Sequence, residues 1–418
     1  MGSGGDEAGL SKGRNTLMAQ PPERRFSTSA LVLLLLLPLV AWSQQPDSLT
    51  PPILVSYGSK GFNLQSGDGR NLLQIEFRGQ FRAAYPTDSD PISLDDFDQD
   101  RVYLKVNRAR MKVGGHAYRP EFKYYLEYEL FATNLLDFRV MYEPLAWLNF
   151  KVGQWKVQYN RERIISSGKQ QTMDRSILTR PFTVDRQQGV SVYGRLRGRG
   201  LWDFNYWVSV FMGTGRGNTL SDDGNLMYMT RWQWNLTGTP LEFSGSDLEG
   251  TSPFQAIVAV AAVTNQSPYT RFSQAGGGQL TGYPTDESGQ YRVNQWMQES
   301  AGMYRGFSWQ QEFHWKEIKD LAQGGVRTLM GNLLQCGYFF HQVASWFPAR
   351  LETFGRYAVY NPFRGAGYLD SEISGGFNYF IHGHRNKLTL EFSYFNVEFA
   401  DESLRKGGRI RLQWDVSF

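Results

Sequence analysis

The amino-acid sequence predicts an all-β protein: a sixteen-stranded antiparallel transmembrane β-barrel, preceded by a signal peptide. Three observations favour this fold, namely a two-residue alternation along most of the chain, an unusual composition, and connections that are alternately short and long. The last ten residues, RIRLQWDVSF, show the alternation clearly. Ile410, Leu412 and Trp414 share one parity, whereas Arg409 and Arg411 share the other. This pattern is typical of a strand with one apolar and one polar face.

The composition narrows the class of protein. Aromatic residues make up 15% of the 418 residues and 44 are glycine, yet only 41% are hydrophobic, and the mean hydropathy is -0.44. A helical membrane protein is far more apolar, and a soluble globular protein is seldom this aromatic. A transmembrane barrel exposes only every second strand residue to lipid, which explains both values. The single cysteine, Cys336, excludes an internal disulfide and a Cys-based zinc cluster, and we expect it to be a small buried side chain.

Residues 1–43 are predicted to be an N-terminal extension and a cleavable signal peptide. The apolar run Ala30–Val40 is too short for a transmembrane helix, which needs about 20 residues. Two arginines precede this run and small residues follow it, which is the pattern of a secretory signal that is cut before Gln44. Either Met1 or Met18 can serve as the start. We therefore expect the mature chain to be exported.

One barrel domain is predicted over residues 71–418, after a polar lead-in at residues 44–70. In the first strand of this domain, Ile75 and Phe77 lie on the face opposite Glu76. The same alternation recurs sixteen times. The predicted strands are, in order, 71–83, 101–113, 121–131, 135–143, 147–158, 188–197, 201–212, 226–236, 254–264, 291–300, 304–318, 327–341, 348–359, 371–381, 387–397 and 409–418.

The connections between these strands predict how the barrel is oriented. The long connections lie at 84–100, 159–187, 213–225 and 265–290, and the short ones at 114–120, 143–147, 198–200 and 382–386. Tight periplasmic turns and longer outer loops are typical of outer-membrane barrels. Sixteen strands enclose an aqueous lumen, whereas eight would be filled by side chains. We expect the apolar parity to face lipid and the charged parity to face the lumen, while closure of the sheet satisfies the backbone hydrogen bonds.

The chain ends on Phe418, which we expect to close the barrel against the first strand. A terminal aromatic residue is also the feature that barrel-assembly machinery reads in this class of protein. A secreted β-sandwich or propeller would explain the alternation equally well. It would not explain why charged residues share one parity in both the first and the last strand.

Four stretches of the chain, taken in order, carry a family resemblance. They are KGFNLQSGDGRNLLQIEFRGQFRA (Lys60–Ala83), NRARMKVGG (Asn107–Gly115), FKVGQWKVQYNRE (Phe150–Glu162) and GGFNYFIHGHRNKLTLEF (Gly375–Phe392). The ordered set resembles the phosphate-selective porin O and P family over residues 57–418. The resemblance implies a sixteen-stranded outer-membrane porin that forms a homotrimer. It also implies a third loop that folds inward and narrows the pore, here at about residues 159–187.

The inward loop and the barrel wall supply the candidate anion-binding residues. The loop carries six basic side chains against three acidic ones, and its basic set is expected to form the constriction: Arg161, Arg163, Lys169, Arg175, Arg180 and Arg186. A second basic set shares the lumen parity of the strands and would extend a positive track along the wall: Arg78, Arg82, Arg108, Arg110, Lys112, Arg139 and Lys151. Arginine suits this role because its planar fork binds phosphate through two hydrogen bonds, and a narrow passage strengthens the field.

Three functions are compatible with this pattern. The first is an outer-membrane porin that passively conducts small anions, with phosphate or polyphosphate as candidate solutes. The second is a general diffusion porin with little selectivity, whose wall arginines form salt bridges with the interleaved acidic residues Glu76, Glu127, Glu129 and Asp137. The third is a barrel without transport, such as an adhesin or a surface enzyme. The expected partners are small anions, outer-membrane lipid and surface glycolipid; neither a cofactor nor nucleic acid is predicted.

An acidic stretch, DSDPISLDDFDQD at Asp88–Asp100, invites a calcium interpretation. Its last aspartates are spaced like the first ligands of a calcium-binding hand loop. The sixth and twelfth positions of that template are Arg101 and Asn107, however, where the loop requires Gly and Glu. We therefore predict a solvated outer loop, with the capping of basic lumen residues or the binding of divalent ions as alternatives.

The histidines do not predict an enzyme or a metal site. Ser308, Glu312 and His314 share a parity, but they are spread along about 20 Å of one strand, which is too far for a catalytic relay. His382 and His384 lie in a predicted turn without a third metal ligand. No catalytic residue and no metal ligand is predicted.

Overall fold

The computed structural model describes residues 53–88, 101–273, 277–283, 287–362, 369–398 and 404–418. The predicted signal peptide and residues 89–100 of the acidic stretch lie outside this part of the chain. Eighteen strands run through the described residues: β1 (Leu54–Gly58), β2 (Gly61–Gln65), β3 (Leu72–Tyr85), β4 (Tyr103–His116), β5 (Phe122–Glu129), β6 (Asn134–Tyr142), β7 (Asn149–Lys156), β8 (Arg186–Arg197), β9 (Asp203–Phe211), β10 (Met227–Asn235), β11 (Gln255–Ser267), β12 (Tyr291–Tyr304), β13 (Phe307–Asp320), β14 (Val326–Tyr338), β15 (Leu351–Asn361), β16 (Asp370–His382), β17 (Asn386–Glu398) and β18 (Leu404–Ser417). The helices are α1 (Arg161–Ile164), α2 (Thr179–Phe182) and a 3-10 turn at Phe340–Gln342.

Strands β3 to β18 form a closed antiparallel barrel of sixteen strands within the described residues, which confirms the predicted fold class. Each of these strands pairs with its neighbours in sequence. Strand β18 closes the seam against β3, where Arg411 pairs with Ala84 and Ser417 pairs with Arg78. The backbone of Phe418 also exchanges two hydrogen bonds with Phe77, of 2.8 and 2.9 Å. The last residue of the chain therefore completes the seam.

Side chains alternate between the lumen and the outer surface along each barrel strand, as a pleated strand requires. In β18, Arg411 is 1% exposed and Leu412 is 50% exposed. In β14, Leu333 is buried in the lumen, and Cys336, which has the opposite parity, is exposed on the outer surface. The expectation of a buried cysteine is therefore wrong, because even-numbered residues of β14 point outward.

The predicted polar lead-in contains a β-hairpin that the alternation did not indicate. Strands β1 and β2 pair with each other, and β2 continues onto β3, where Phe62 pairs with Ile75. Strand β18 does not reach this lower part of β3, so the hairpin covers the edge that the barrel leaves free. Gly61 begins β2 with a φ of +77°, and a Cβ there would meet the carbonyl oxygen of Ile75 at 2.3 Å. Only glycine accommodates both conditions.

The connection between β7 and β8, residues 157–185, lies inside the barrel and is named the inner loop below. The backbone N–H of Glu162 donates to Glu312 of β13 at 2.6 Å, and that of Ile177 donates to Glu372 of β16 at 2.9 Å. The loop contains α1 and α2, each of four residues. No helix in the described ranges is long and apolar enough to cross a membrane.

A second connection, residues 236–254 between β10 and β11, enters the barrel from the opposite end. Its residues Ser244, Ser246 and Asp247 are buried. The N–H of Gly245 donates to the carbonyl of Lys169 at 2.8 Å. The two inward segments therefore touch inside the lumen, and residues 236–254 are named the second inner segment.

An apolar core holds the inner loop against one side of the barrel. Tyr159, Leu178 and Phe182 of the loop are almost fully buried, and they pack in one cluster with lumen-facing residues such as Met229 of β10 and Val293 of β12. Burial of one such side chain stabilises the packed state by about 1.5–3 kcal/mol. The loop thus sits on strands β10–β17, named the far wall, and faces strands β3–β8 with β18, named the near wall.

Candidate functional site

The near wall carries the seven basic side chains that the sequence assigned to the lumen wall. Four of them form ion pairs with wall carboxylates: Arg78 with Asp415 at 2.6 Å, Arg110 with Glu127 at 2.8 Å, Lys112 with Glu76 at 2.7 Å and Arg139 with Asp137 at 2.7 Å. These pairs form a row of salt bridges along the wall, as expected for the alternative of a general diffusion porin. Lys151 instead donates to Gln158 at 3.1 Å and lies over the ring of Trp155 at 4.7 Å.

Three arginines of the near wall converge on one carboxylate of the inner loop. Asp174 accepts from Arg82 at 2.6 Å and from Arg411 at 2.6 Å, and Arg108 lies 3.4 Å away. Asp88, at the start of the acidic connection, also contacts Arg82 at 3.0 Å. Charge-assisted hydrogen bonds of this kind are short and strong. Arg411 also pairs with Glu391 of β17, so three guanidinium groups meet three carboxylates at this point of the lumen.

The ionisation of Asp174 reflects its surroundings. Burial favours the neutral acid, but the guanidinium groups of Arg82, Arg411 and Arg108 outweigh this effect and hold the pKa of Asp174 well below its usual range. The carboxylate therefore stays charged at neutral and mildly acidic pH.

Three of the six predicted loop residues form ion pairs, and the side chain of a fourth, Arg161, binds only backbone carbonyls. Arg163 forms an ion pair with Asp185, and Lys169 forms one with Glu242 of the second inner segment. Arg186, the first residue of β8, donates to Asp137 at 2.5 Å. Arg161 is buried and donates to carbonyl oxygens of the second inner segment, including that of Ser244 at 3.3 Å. Arg161 and Lys169 therefore join the two inward segments to each other.

The remaining two loop residues, Arg175 and Arg180, have no carboxylate partner. Arg175 donates only to carbonyl oxygens, at 2.9 Å to Glu162 and 2.8 Å to Ile165. Arg180 makes no hydrogen bond or ion pair with the described residues. Burial and the positive charges of Arg163 and Arg108 lower the pKa of Arg175 well below its usual value. The loop therefore presents net positive charge toward the near wall.

Two further basic residues belong to this site and were missed. Burial lowers the pKa of Arg216 in the β9–β10 connection; Asp185 opposes this effect, and the charges of Arg186 and Arg163 add to it. Lys156, at the end of β7, makes no hydrogen bond or ion pair within the described part of the chain. Both residues flank predicted loop residues in space. Lys156 has the parity opposite to that of Lys151, because the alternation of β7 breaks near Gly153, so strand parity could not select it.

Carboxylates of the far wall anchor the back of the loop. Glu299 accepts from the N–H of Arg161 at 3.0 Å, and Glu391 accepts from that of Met173 at 2.8 Å. Glu352 accepts from the side chain of Gln171 at 2.6 Å. Together with Glu312 and Glu372, these groups satisfy loop donors that burial would otherwise leave unpaired. The acidic side chains of the far wall are thus covered by the loop, whereas basic ones line its other side.

Basic residues of the far wall, which are not among the predicted site residues, also secure the loop. Arg356 donates to Thr172 at 2.6 Å and to the carbonyl of Asp174 at 2.8 Å. Lys387 donates to the carbonyl of Gln170 at 2.7 Å. Strand parity already placed these side chains on the lumen face. Their role as anchors depends on where the loop lies, which strand parity does not encode.

The residues considered for catalysis lie beneath the loop. His314 contacts Glu312 at 3.0 Å and stacks on Phe182 with ring centres 5.2 Å apart. Ser308 accepts from Gln171 at 3.1 Å. His384, in the β16–β17 turn, contacts the hydroxyl of Ser244 at 3.1 Å. Each of these groups therefore serves to pack or hold an inward segment.

A cavity of about 950 Å³ opens between the near wall, the tip of the inner loop and the β16–β17 turn. Seven lysine and arginine side chains line it against two glutamates, and they include Lys60, Lys123, Lys169 and Arg385. Tyr124 and Tyr125 form part of the same surface. This basic vestibule lies at the end of the barrel that holds the short turns.

A family model supplies the relationship of this chain to known proteins. The model for phosphate-selective porin O and P matches residues 80–415. The chain belongs to the phosphate-selective porin O and P family. The family and the barrel indicate that this porin is an outer-membrane channel. No curated protein matches the chain.

Solved structures of other porins share the fold. The anion-selective porin from Comamonas acidovorans has a TM-score of 0.51 at 12% identity, over 83% of this chain and 99% of its own. The outer membrane channel DcaP of Acinetobacter baumannii has a TM-score of 0.53 at 11% identity, over 85% of this chain and 99% of its own. At such identities the likeness concerns the barrel fold alone.

Proposed function

We propose that this porin passively conducts small anions, with phosphate or polyphosphate among its solutes, through the gap between the inner loop and the near wall. One observation carries the proposal: the far-wall carboxylates are covered by the back of the loop, whereas the side chains of Lys156, Arg175 and Arg180 have no carboxylate partner among the described residues. The similar porin from Comamonas acidovorans is described as anion-selective, which agrees with this proposal.

The expected mechanism is electrostatic. Basic groups on both sides of a narrow, low-dielectric passage raise the local concentration of anions and repel cations. Arg175 and Arg180 offer planar guanidinium forks to a passing oxyanion. The vestibule residues Lys60 and Arg385, which have no carboxylate partner among the described residues, supply further weak sites in series. Several moderate sites allow an anion to leave as readily as it enters.

Planar-bilayer recordings under a salt gradient test the proposal. For the wild-type porin, the sign of the reversal potential is expected to show that anions permeate better than cations. Added phosphate is expected to reduce the chloride current. The variant with Arg163→Ala, Arg175→Ala and Arg180→Ala should lose most of this preference. A control with Arg197→Ala, Arg199→Ala and Arg350→Ala removes three charges at the exposed turns and should keep it.

Each alternative function gives a different result in these recordings. A general diffusion porin would conduct with a small reversal potential that the loop variant leaves unchanged. An adhesin or surface enzyme would give no conductance at all. Chloride preference without an effect of phosphate would support anion conduction and remove phosphate from the proposal.

We also propose the steps that bring the porin to this state. The signal peptide is cut before Gln44, the barrel-assembly machinery reads Phe418, and the mature barrel forms a homotrimer in contact with outer-membrane lipid and surface glycolipid. The support is the family membership and the position of Phe418 at the barrel seam. The mass of the mature N-terminal peptide from isolated outer membranes tests the cleavage site.

A further inference from the structure

A groove of about 760 Å³ lies on the outer surface of the barrel, at the end that holds the short turns. Leu196 of β8, Phe204 of β9 and Trp232 of β10 line it, and their strand parity directs them away from the lumen. Trp147 of the β6–β7 turn and Trp202 of the β8–β9 turn complete the aromatic lining. The volume is within the range of about 300–1,000 Å³ that is typical of small-molecule sites. The feature is named the outer groove.

The two turns beside the outer groove are fixed in place. The hydroxyl of Tyr206 donates to the carbonyl of Trp147 at 2.7 Å, and the indole N–H of Trp234 donates to the carbonyl of Leu201 at 2.7 Å. A Cβ at Gly194 would meet the carbonyl oxygen of Trp147 at 2.3 Å, so only a glycine lets the β6–β7 turn lie this close to β8. The groove is therefore formed before any ligand enters it.

One basic side chain of the outer groove is free of acidic partners. Arg197, the last residue of β8, lines the groove, and its side chain makes no hydrogen bond or ion pair with the described residues. Asp203 pairs with Arg197 in the strand register, but its carboxylate accepts from Arg195 at 2.7 Å and from Asn235 at 2.8 Å. A guanidinium group, whose planar fork suits phosphate, thus lies beside an aromatic groove.

The position of the outer groove matches one membrane interface. Tryptophan side chains are enriched at the level of the lipid headgroups, and the short turns of an outer-membrane barrel face the periplasm. Trp202 is 70% exposed and the neighbouring Leu201 is 65% exposed. Apolar surface of this kind is stabilised by contact with lipid. The groove therefore runs from the headgroup level of the periplasmic leaflet toward its acyl chains.

A second cavity of the outer surface provides a comparison. It has a volume of about 470 Å³ and lies across β9 to β13, where Val210, Tyr228 and Trp296 are among its lining residues. None of the described side chains that line it is charged. It offers contacts to acyl chains but no group that binds a phosphate. The outer groove combines both kinds of contact.

We propose that the outer groove binds one glycerophospholipid of the periplasmic leaflet. An acyl chain lies against Leu196, Phe204 and Trp232, and the phosphate accepts hydrogen bonds from the guanidinium group of Arg197. Charge complementarity and continuity with the lipid-facing surface select this ligand. The site lies on the outside of the barrel, so the inference does not depend on which ions the porin conducts.

Native mass spectrometry of the detergent-solubilised porin tests the site. The probes are phosphatidylglycerol and a diacylglycerol with the same acyl chains, which lacks the phosphate. The wild-type chain is expected to retain one phosphatidylglycerol and several-fold less diacylglycerol. Arg197→Glu should lower the retention of phosphatidylglycerol at least five-fold. Arg350→Glu changes an arginine of the β14–β15 connection that also lacks a carboxylate partner among the described residues, and it should retain the lipid. Equal retention of the two lipids, or equal loss in the two variants, overturns the proposal.

A second variant keeps the inference falsifiable if Arg197→Glu fails to fold. Ala146 also lines the outer groove, and Ala146→Trp fills part of the groove without changing any charge. Retained phosphatidylglycerol should fall several-fold although Arg197 is intact, and retention at the wild-type level would show that lipid does not occupy the groove. Preferential retention of an outer-leaflet glycolipid would also overturn the proposal. The reversal potential in bilayers should not change in either variant, so failure of the lipid site is distinguishable from failure of anion conduction.

Discussion

The two walls of this barrel carry similar residues but put them to different uses. On the far wall, Glu312, Glu372 and Glu391 accept hydrogen bonds from backbone N–H groups of the inner loop. On the near wall, Arg82, Arg108 and Arg411 converge on the loop carboxylate of Asp174, and Arg82 and Arg411 also pair with Asp88 and Glu391, respectively. The difference teaches that net charge alone does not set the character of a lumen. What matters is which charges a folded loop covers.

The largest effect is expected from detaching the loop from the far wall. Phe182→Ala removes a fully buried ring from the apolar core and should cost about 3–5 kcal/mol of the free energy that seats the loop. Single-channel conductance should then increase and fluctuate, and limited proteolysis should cut the loop. Leu412→Ala, on the lipid-facing surface, is the control and should leave both readings unchanged. A stable conductance in the Phe182 variant would mean that the core does not hold the loop.

A smaller effect is expected where the loop meets the near wall. Asp174→Asn removes the carboxylate that three arginines share. The Coulomb energy between this charge and a passing anion 4 Å away is about 1 kcal/mol even in water-like surroundings. Anion preference should therefore increase, by roughly five-fold in permeability ratio. Glu312→Gln is the matched control on the covered side, where the carboxylate binds the loop N–H of Glu162, and it should shift the ratio far less. Equal shifts in the two variants would remove the distinction between the walls.

A still smaller effect is expected from the ladder pairs of the near wall. Lys112 and Glu76 are partly exposed and bonded at 2.7 Å, and pairs of this kind contribute about 0.2–1 kcal/mol. The double variant Lys112→Ala and Glu76→Ala removes no net charge. Its thermal midpoint and its reversal potential should stay close to those of the wild type. A large change in selectivity would show that this pair, rather than the loop, controls the passage.

The smallest effect is expected from acid. Because the pKa of Asp174 is held well below the usual range, the carboxylate stays charged as pH falls to about 4. A group whose pKa is lowered on folding stabilises the protein above its unfolded pKa, and this contribution is lost as pH falls through the lower folded value. Asp174 should thus contribute no change in anion preference from pH 7 to about 4. A rise in preference near pH 5 that Asp174→Asn abolishes would contradict this assignment.

Much of the fold could be predicted because the two faces of most strands meet different solvents. All sixteen strands follow from the alternation, and the same parity places Arg110 and Lys112 in the lumen. The rule fails in β14, where Leu333 and Leu334 are both apolar. In β14 the lumen face packs on the inner loop instead of facing water, so both faces of the strand carry apolar residues. The exposure of Cys336 could therefore not be predicted from the alternation.

The site was harder to predict than the fold. Basic residues of the loop are visible in the sequence, but their partners depend on where the loop lies in the lumen. Nothing in the sequence distinguishes Arg163 from Arg175. In the structure, however, Arg163 has a carboxylate partner, whereas Arg175 has only carbonyl oxygens as partners. The second inner segment showed no pattern at all, since its residues contact side chains from distant strands.

Asp174 joins two strands that are far apart in sequence, β3 through Arg82 and β18 through Arg411. These are the strands whose pairing turns an open sheet into a cylinder. The carboxylate of Asp174 thus links the two strands of the closing seam from the lumen side. Asp88 contacts the same two arginines, so a settled loop adds a second bridging carboxylate across the joint that completes the cylinder.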